Sequence, residues 1–258
     1  MVLTIDIGNT NIVIGEWNGD KLRFVARMKT DSSKTCDEYT VALHSIFELY
    51  GVRREKTQGC IISSVVPPIS AAVSGALERL TGKKPLVLGP GVKTGLNIRI
   101  DNPAQLGSDL VGESVAALAK YPKPVIIVDM GTATKISAVD ADGSFIGCAI
   151  IPGIRIGLNA LAEKTAQLPQ IDLNAPEEII GRNSVDSMKS GVVYGTACMI
   201  DGMVSRFEER LGAKAAVVAT GGYAGDIVPH CRRGIAHDPN LLLEGLLYIY
   251  RRNVSVPV

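Results

Sequence analysis

The sequence predicts an α/β protein built from two copies of one βββαβα unit, and three observations predict it. The stretch VLTIDIGNTNIVIG at 2–15 has a near copy, VIIVDMGTATKISAV, at 125–139. In each, a β-branched apolar run breaks at Asp, an apolar residue, Gly and small polar residues, and then resumes. The order of strands and helices after the first stretch is largely repeated after the second.

Residues 2–7, 11–17 and 21–28 read as strands from their apolar, β-branched content, the last two joined by the hairpin signal NGD. DEYTVALHSIFELYG places Tyr39, Leu43, Ile46, Phe47 and Tyr50 at helical spacing, with Gly51 as a stop. GCIISSVV is a strand, and Pro67 and Pro68 open a helix that aligns Ile69, Val73, Ala76, Leu77 and Leu80. PLVLG is a further strand, followed by a loop and a helix over 106–120. In the second half PVIIVDM, TKISAVD and SFIGCAII are strands, with ADG turning the last pair. A helical segment begins at Pro152, a longer helix spans 184–211, KAAVVATGG is a strand with a glycine-rich exit, and PNLLLEGLLYIYRR is the final helix. The copies meet at KYPKP, 120–124, which sets the expected domains at 1–121 and 122–258. So short a joint predicts packed halves with a cleft between them.

Lys and Arg number 27 against 26 Asp and Glu, so no global field favours nucleic acid or an anionic membrane. The first residues lack a basic segment followed by an apolar core, and no apolar run reaches the roughly 18 residues of a membrane span. A cytoplasmic protein with neither a nucleic-acid nor a membrane partner is expected. Cys36, Cys60, Cys148, Cys198 and Cys231 are scattered and odd in number, which predicts reduced, largely buried thiols rather than disulfides or zinc. His44, His230 and His237 show no metal-ligand spacing and are read as structural or solvated.

The chemistry concentrates at the repeated stretch. A hairpin tip of this composition exposes backbone N–H groups, and Gly8 or Gly131 lets a phosphate approach where a side chain would block it. Thr10, Asn11, Thr132 and Thr134 add hydrogen-bonding groups. A carboxylate beside a phosphate repels it unless a cation lies between, so Asp6 and Asp129 imply bound metal. An ordinary hairpin turn explains one such stretch equally well, but two at matching places in a duplicated unit are harder to explain that way. GxxxxGK[ST] is absent, and GPGVKTG from Gly89 misses GxGxxG spacing by one residue. In ATGGYAGD, the paired Gly221 and Gly222 suit an adenine or ribose against the backbone, or a plain strand-to-helix turn.

Together these features resemble the superfamily of acetate kinase, sugar kinases, Hsp70 and actin, which implies duplicated RNase H-like (actin-like) domains around a nucleotide cleft. The sequence is more closely similar to the type III pantothenate kinases, through DIGNTN, SSVVP, GPGVKTGLNI, DNPAQLGSDL, VDMGTAT, IIPGI, TAQLP, IGRNSVDSMKSGVVYG and ATGG in the family's order along essentially the whole chain. That resemblance implies ATP- and Mg²⁺-dependent phosphorylation of pantothenate to 4′-phosphopantothenate, the first step of coenzyme A synthesis. It implies a first phosphate loop at Asp6, Ile7, Gly8, Asn9, Thr10, Asn11, Ile12 and Val13, with Asp6 near the magnesium-bound phosphates. Gly131 and Thr132 fall in the second loop, and Gly221 and Gly222 lie on the adenosine side. Asp129 corresponds to a ligand of a monovalent cation, K⁺ or NH₄⁺, and Asp109 in GSDL to the general base. The resemblance also implies a homodimer, with Ser184 a contributor to a substrate site shared across the interface.

Departures from the family fall at substrate positions. Ile100 stands where Tyr is common, Leu110 where GxDR has Arg, and Ser184 where Thr is common; Gly107, Ser108 and Asp109 complete the expected substrate set. Loss of the Arg removes a partner for the substrate carboxylate, a change of about 1.5–3 kcal/mol. Arg155, Arg99 or Lys135 replaces it, or the acceptor is another small hydroxylated molecule. A non-catalytic ATP-binding regulator is the alternative of a different class, and intact Asp6, Asp109 and Asp129 weigh against it.

Overall fold

The structure is a computed structural model and describes residues 1–254; the last four residues of the expected second half lie outside the described residues. Strands β1 (Val2–Ile7), β2 (Asn11–Asn18) and β3 (Lys21–Lys29) form an antiparallel meander. Helix α1 (Cys36–Tyr50), β4 (Gly59–Ser64), α2 (Pro67–Thr81) and the short β5 (Leu86–Val87) follow. The first sheet runs β3-β2-β1-β4-β5, with β4 parallel to β1. Next come β6 (Asn97–Ile98) and α3 (Ser108–Lys120). The second meander is β7 (Val125–Met130), β8 (Ala133–Val139) and β9 (Ser144–Pro152). The chain then forms α4 (Ile154–Lys164), α5 (Ser184–Leu211), β10 (Ala216–Thr220), α6 (Ala224–Ile227), β11 (Ala236–His237) and α7 (Leu241–Asn253). The second sheet, β11-β10-β7-β8-β9-β6, repeats the first strand for strand and adds β6 at its edge.

Local chemistry accounts for the boundaries. Thr35 caps α1 in a reciprocal capping box with Glu38, and Gly51, at φ 65°, ends it in the left-handed conformation. Pro67 and Pro68 open α2 where the helix has no need of their missing N–H groups. Asn183 caps α5 by accepting from the Asp186 N–H, and the helix runs over the predicted span to Gly212. The helix predicted from 106 begins at Ser108, because Pro103–Gln105 form a separate 3₁₀ turn. The segment predicted from Pro152 becomes helical at Ile154, because β9 continues through Pro152.

The chain divides into two compact units whose limits depart from the expected 1–121 and 122–258. Among the described residues, one comprises 1–95, 102–116 and 241–254; the other comprises 96–101 and 117–240. The final helix therefore belongs with the first sheet. In the first unit, β1, β2 and β4 bury Leu3, Ile5, Ile7, Ile12, Ile14 and Ile62 against Tyr39, Leu43 and Phe47 of α1 and Ile69, Val73 and Leu77 of α2. Helix α7 packs on β1 and β4. It comes so close to α3 that a Cβ on Gly245 would lie 1.8 Å from the Gly112 carbonyl oxygen. In the second unit, Ile126, Val128, Met130 and Ile136 pack on Val193, Ala197, Ile200 and Val204 of α5.

The thiols correct one expectation. Only Cys60 is buried, with its pKa pushed up to about 12 by desolvation, while Cys36 and Cys231 are half-buried and Cys148 and Cys198 are exposed. Apolar neighbours in sequence misled, because alternation along β9 and rotation along α5 turn the last two outward. The histidines match their reading: His44 is half exposed near Glu48, and His230 meets Tyr194 edge to face.

Candidate active site

In the first unit the tip between β1 and β2 closes on itself. The Gly8 N–H donates to the Asn11 carbonyl at 3.0 Å, and a Cβ at Gly8 would come within 3.1 Å of that oxygen and 4.0 Å of Asp6 Oδ2. Thr30, just beyond β3, braces the tip from both sides: its hydroxyl donates to the Gly8 carbonyl at 2.6 Å and its N–H to the Thr10 carbonyl at 3.0 Å. Asn9, Thr10 and Asn11 are exposed, whereas Ile7 and Ile12 are buried and anchor the tip in the core. Val13 is half-buried. Thus Ile7 and Ile12 position the loop, and its polar residues lie at the surface. The Asp6 carboxylate near this tip is of the type that suits Mg²⁺, which takes one or two protein carboxylates together with phosphate oxygens.

Parallel pairing of β1 with β4 places Ser63 beside Asp6. The Ser63 hydroxyl lies 3.0 Å from the Ser108 hydroxyl, which also accepts from the Ser64 N–H at 3.0 Å and donates to the Ser64 carbonyl at 3.1 Å. This knot ties the first turn of α3, and with it Asp109, to the strand next to Asp6. Asp109 is half-buried, and its Oδ1 accepts from the Leu110 N–H at 2.8 Å. A Cβ on Gly107 would sit 2.4 Å from that same oxygen. Gly107 therefore leaves room for the carboxylate. The sequence does not single out Ser63 and Ser64, since only the strand register shows what they face.

The second unit repeats the arrangement. The Gly131 N–H donates to the Ala133 carbonyl at 3.2 Å. Thr132 is exposed, while Thr134 is buried, so the latter has little surface to offer a phosphate. Gly221, at φ 90°, would place a Cβ 2.6 Å from Asp129 Oδ1, and a Cβ on Gly153 would lie 2.1 Å from the Thr132 carbonyl. Gly222 has open space around its Cβ position. Asp129 is not an open carboxylate: the Lys135 ammonium, directly across the β7–β8 pair, lies 2.7 Å from its Oδ2.

Also in the second unit, α4, the 165–183 segment and the first turns of α5 enclose a groove of about 1040 Å³. Ser184 is exposed on it, beside Arg182, which the sequence reading passed over.

The family pattern described as type III pantothenate kinase matches residues 2–206. A type III pantothenate kinase of Exiguobacterium sp. is 44% identical over 253 residues, covering 98% of this chain and 99% of the relative. The chain belongs to the type III pantothenate kinase family. Its family relative from Moorella thermoacetica is 42% identical over 98% of this chain and 100% of the relative. Among solved structures, component A of (R)-2-hydroxyglutaryl-CoA dehydratase from Acidaminococcus fermentans shares the fold at TM-score 0.59 and 16% identity, covering 98% of this chain and 99% of that one.

The positions at which this family member departs from the pattern have distinct surroundings. Ile100 is half-buried just beyond β6. Leu110 is 6% exposed and packs as a core residue. Of the candidate replacements for the missing Arg, Arg99 lies 3.5 Å from Asp140 and 3.8 Å from Asp142, and Lys135 is on Asp129. Arg155 is exposed in the first turn of α4.

Proposed function

We propose that this protein transfers the γ-phosphoryl group of ATP to the primary hydroxyl of pantothenate, giving 4′-phosphopantothenate for coenzyme A synthesis. The observation that carries the reading is the Ser63–Ser108 knot, which fixes Asp109 to the strand beside Asp6. Family membership supplies the substrate class.

Asp109 accepts the hydroxyl proton as the oxygen attacks phosphorus, and Gly107 keeps its carboxylate in place. Asp6 would hold Mg²⁺ through the nucleotide phosphates, and the ion supplies charge neutralisation on the transferring group. The Gly8–Asn11 tip and the Gly131–Thr132 tip offer N–H and hydroxyl groups to phosphate oxygens, Thr30 and Gly153 fixing their shapes. Gly221 and Gly222 serve the adenosine. Arg155 is the candidate partner of the pantothenate carboxylate, because the other two bases already face acids.

The protein acts as a cytoplasmic homodimer and needs neither nucleic acid nor a membrane. Among the described residues no helix is long and apolar enough to cross a membrane. In support of the dimer, Ile150, Ile156, Leu161, Ile179, Ile180 and Val185 are all exposed on β9, α4, the segment after it and the start of α5. A second copy covering that face would reach Ser184.

A coupled ADP-release assay with pantothenate, pantetheine and pantothenol tests the reading. Pantothenate should be preferred, with turnover lost in Asp109→Asn. Preference for the uncharged analogues would assign the protein a different acceptor. ATP binding without turnover on any alcohol would favour the regulator.

A further inference from the structure

We infer that Lys135 is a built-in cation for the second phosphate loop, so that nucleotide binding requires no dissolved K⁺ or NH₄⁺ at Asp129. The inference rests on the proposed reading of that loop as an ATP-phosphate site.

Three features of the second unit lead to it. First, Asp129 is the last residue but one of β7, near the base of the loop, where an uncompensated carboxylate would repel a phosphate. Second, a compensating charge is already in place: the Lys135 ammonium lies 2.7 Å from Asp129 Oδ2, with the two side chains only 14% and 12% exposed. Asp129 and Lys135 are register partners on adjacent antiparallel strands, so backbone pairing aims the ammonium at the carboxylate. Third, the Gly221 turn runs close beside the other carboxylate oxygen, since a Cβ added there would lie 2.6 Å from Asp129 Oδ1, so the pair is set against backbone. A dissolved cation would have to displace a tethered one or enter beside it against like-charge repulsion. Both alternatives are unfavourable in a site largely removed from water. The residues present therefore do not fit the free monovalent ion that the family resemblance implies.

An ammonium on a four-carbon stem offers the charge and N–H donors of NH₄⁺ without drawing on the surrounding salt. Pairing with Asp129 also occupies Lys135, leaving the substrate carboxylate to another base.

Two binding readouts test this, both independent of catalysis. Calorimetric titration with Mg²⁺ and a non-hydrolysable ATP analogue is compared in choline chloride, NaCl, KCl and NH₄Cl at equal ionic strength. The expected wild-type Kd values agree within about twofold across the four salts. Lys135→Thr and Lys135→Gln should each weaken binding at least tenfold in choline chloride, with K⁺ or NH₄⁺ restoring most of it. Direct ion binding is read by ²⁰⁵Tl NMR, with Tl⁺ as the potassium surrogate; wild type should not broaden or shift the resonance and Lys135→Thr should.

A wild-type affinity that rises tenfold or more with K⁺, or a wild-type Tl⁺ complex, overturns the inference whether or not either variant folds. Folded variants that bind nucleotide normally in choline chloride overturn it too. Absence of pantothenate phosphorylation would refute the proposed acceptor but leave these binding measurements decisive for Lys135.

Discussion

Gly245→Ala should destabilise the protein by about 2 kcal/mol or more, although alanine is the better helix former. Two effects oppose each other. In the interior of α7 the substitution gains about 1 kcal/mol of helix propensity. The new methyl would lie 1.8 Å from the Gly112 carbonyl oxygen, about 1.6 Å inside an ordinary contact of roughly 3.4 Å. Both sides of that contact are helix backbone, so no side chain can rotate away. Helix α7 must shift off α3, disturbing buried Leu241, Leu246 and Ile249, at the upper end of overpacking costs, about 3 kcal/mol. The difference is about 2 kcal/mol. Trp17, the only tryptophan, is buried in the same unit and donates to Thr4 Oγ1 at 2.9 Å, so its fluorescence in a urea titration reports the loss. Gly202→Ala supplies the contrast: it is helical and exposed, nothing lies within 4 Å of its Cβ position, and it should stabilise by about 0.5–1 kcal/mol in a titration followed by circular dichroism. If Gly245→Ala also stabilised, the close approach of α3 and α7 would be refuted.

Three further outcomes are expected. Burial opposes ionisation of Glu208, but hydrogen bonds from Arg233, Lys214 and the Ala215 N–H outweigh it and bring its pKa down from 4.5 to about 2. A depressed folded pKa gives stability that is present above pH 4.5 and lost as pH falls toward 2, so Glu208→Gln should flatten that limb of a thermal-melt pH profile. Gly107→Ala should displace the Asp109 carboxylate and lower kcat at least tenfold while leaving ATP-analogue affinity within about twofold, measured by steady-state kinetics and calorimetry. Ser108→Ala removes the knot to Ser63 and Ser64 and should cost about 1–2 kcal/mol in denaturant titration, with kcat falling more than KM rises.

Much of the fold was legible because its determinants are local. Capping Asn183 and terminal Gly212 bracket α5, and alternating apolar runs bracket β1 to β3. The two-residue β6 and β11 were not legible. Each is too short to show a period, and β6 is recognised only by pairing with Ser144 and Phe145, far along the chain. The home of α7 was hidden for a similar reason: its apolar stripe shows that it packs, but not on which sheet. At the site, duplication made Asp6, Gly8, Asp129 and Gly131 conspicuous. Ser63 emerges only once strand register is known, and so does the pairing of Lys135 with Asp129, which the sequence marks only as a base that could meet the substrate carboxylate.

The docking of α7 on β1 and β4 also orders events in the life of the chain. Strands β1 and β4 receive cover from a helix that follows the whole of the second sheet in sequence. Until Leu241 and the residues after it are made, the face of the first sheet that carries Gly59 lacks Tyr250, whose hydroxyl lies 2.1 Å from that glycine's Cβ position in the finished protein. A nascent chain can close most of its second unit from 117–240 while the first waits, its apolar strands open to chaperones and to one another. A chain interrupted before Leu241 would leave that face bare and adhesive, so completion of the first unit waits on a segment that comes after the second.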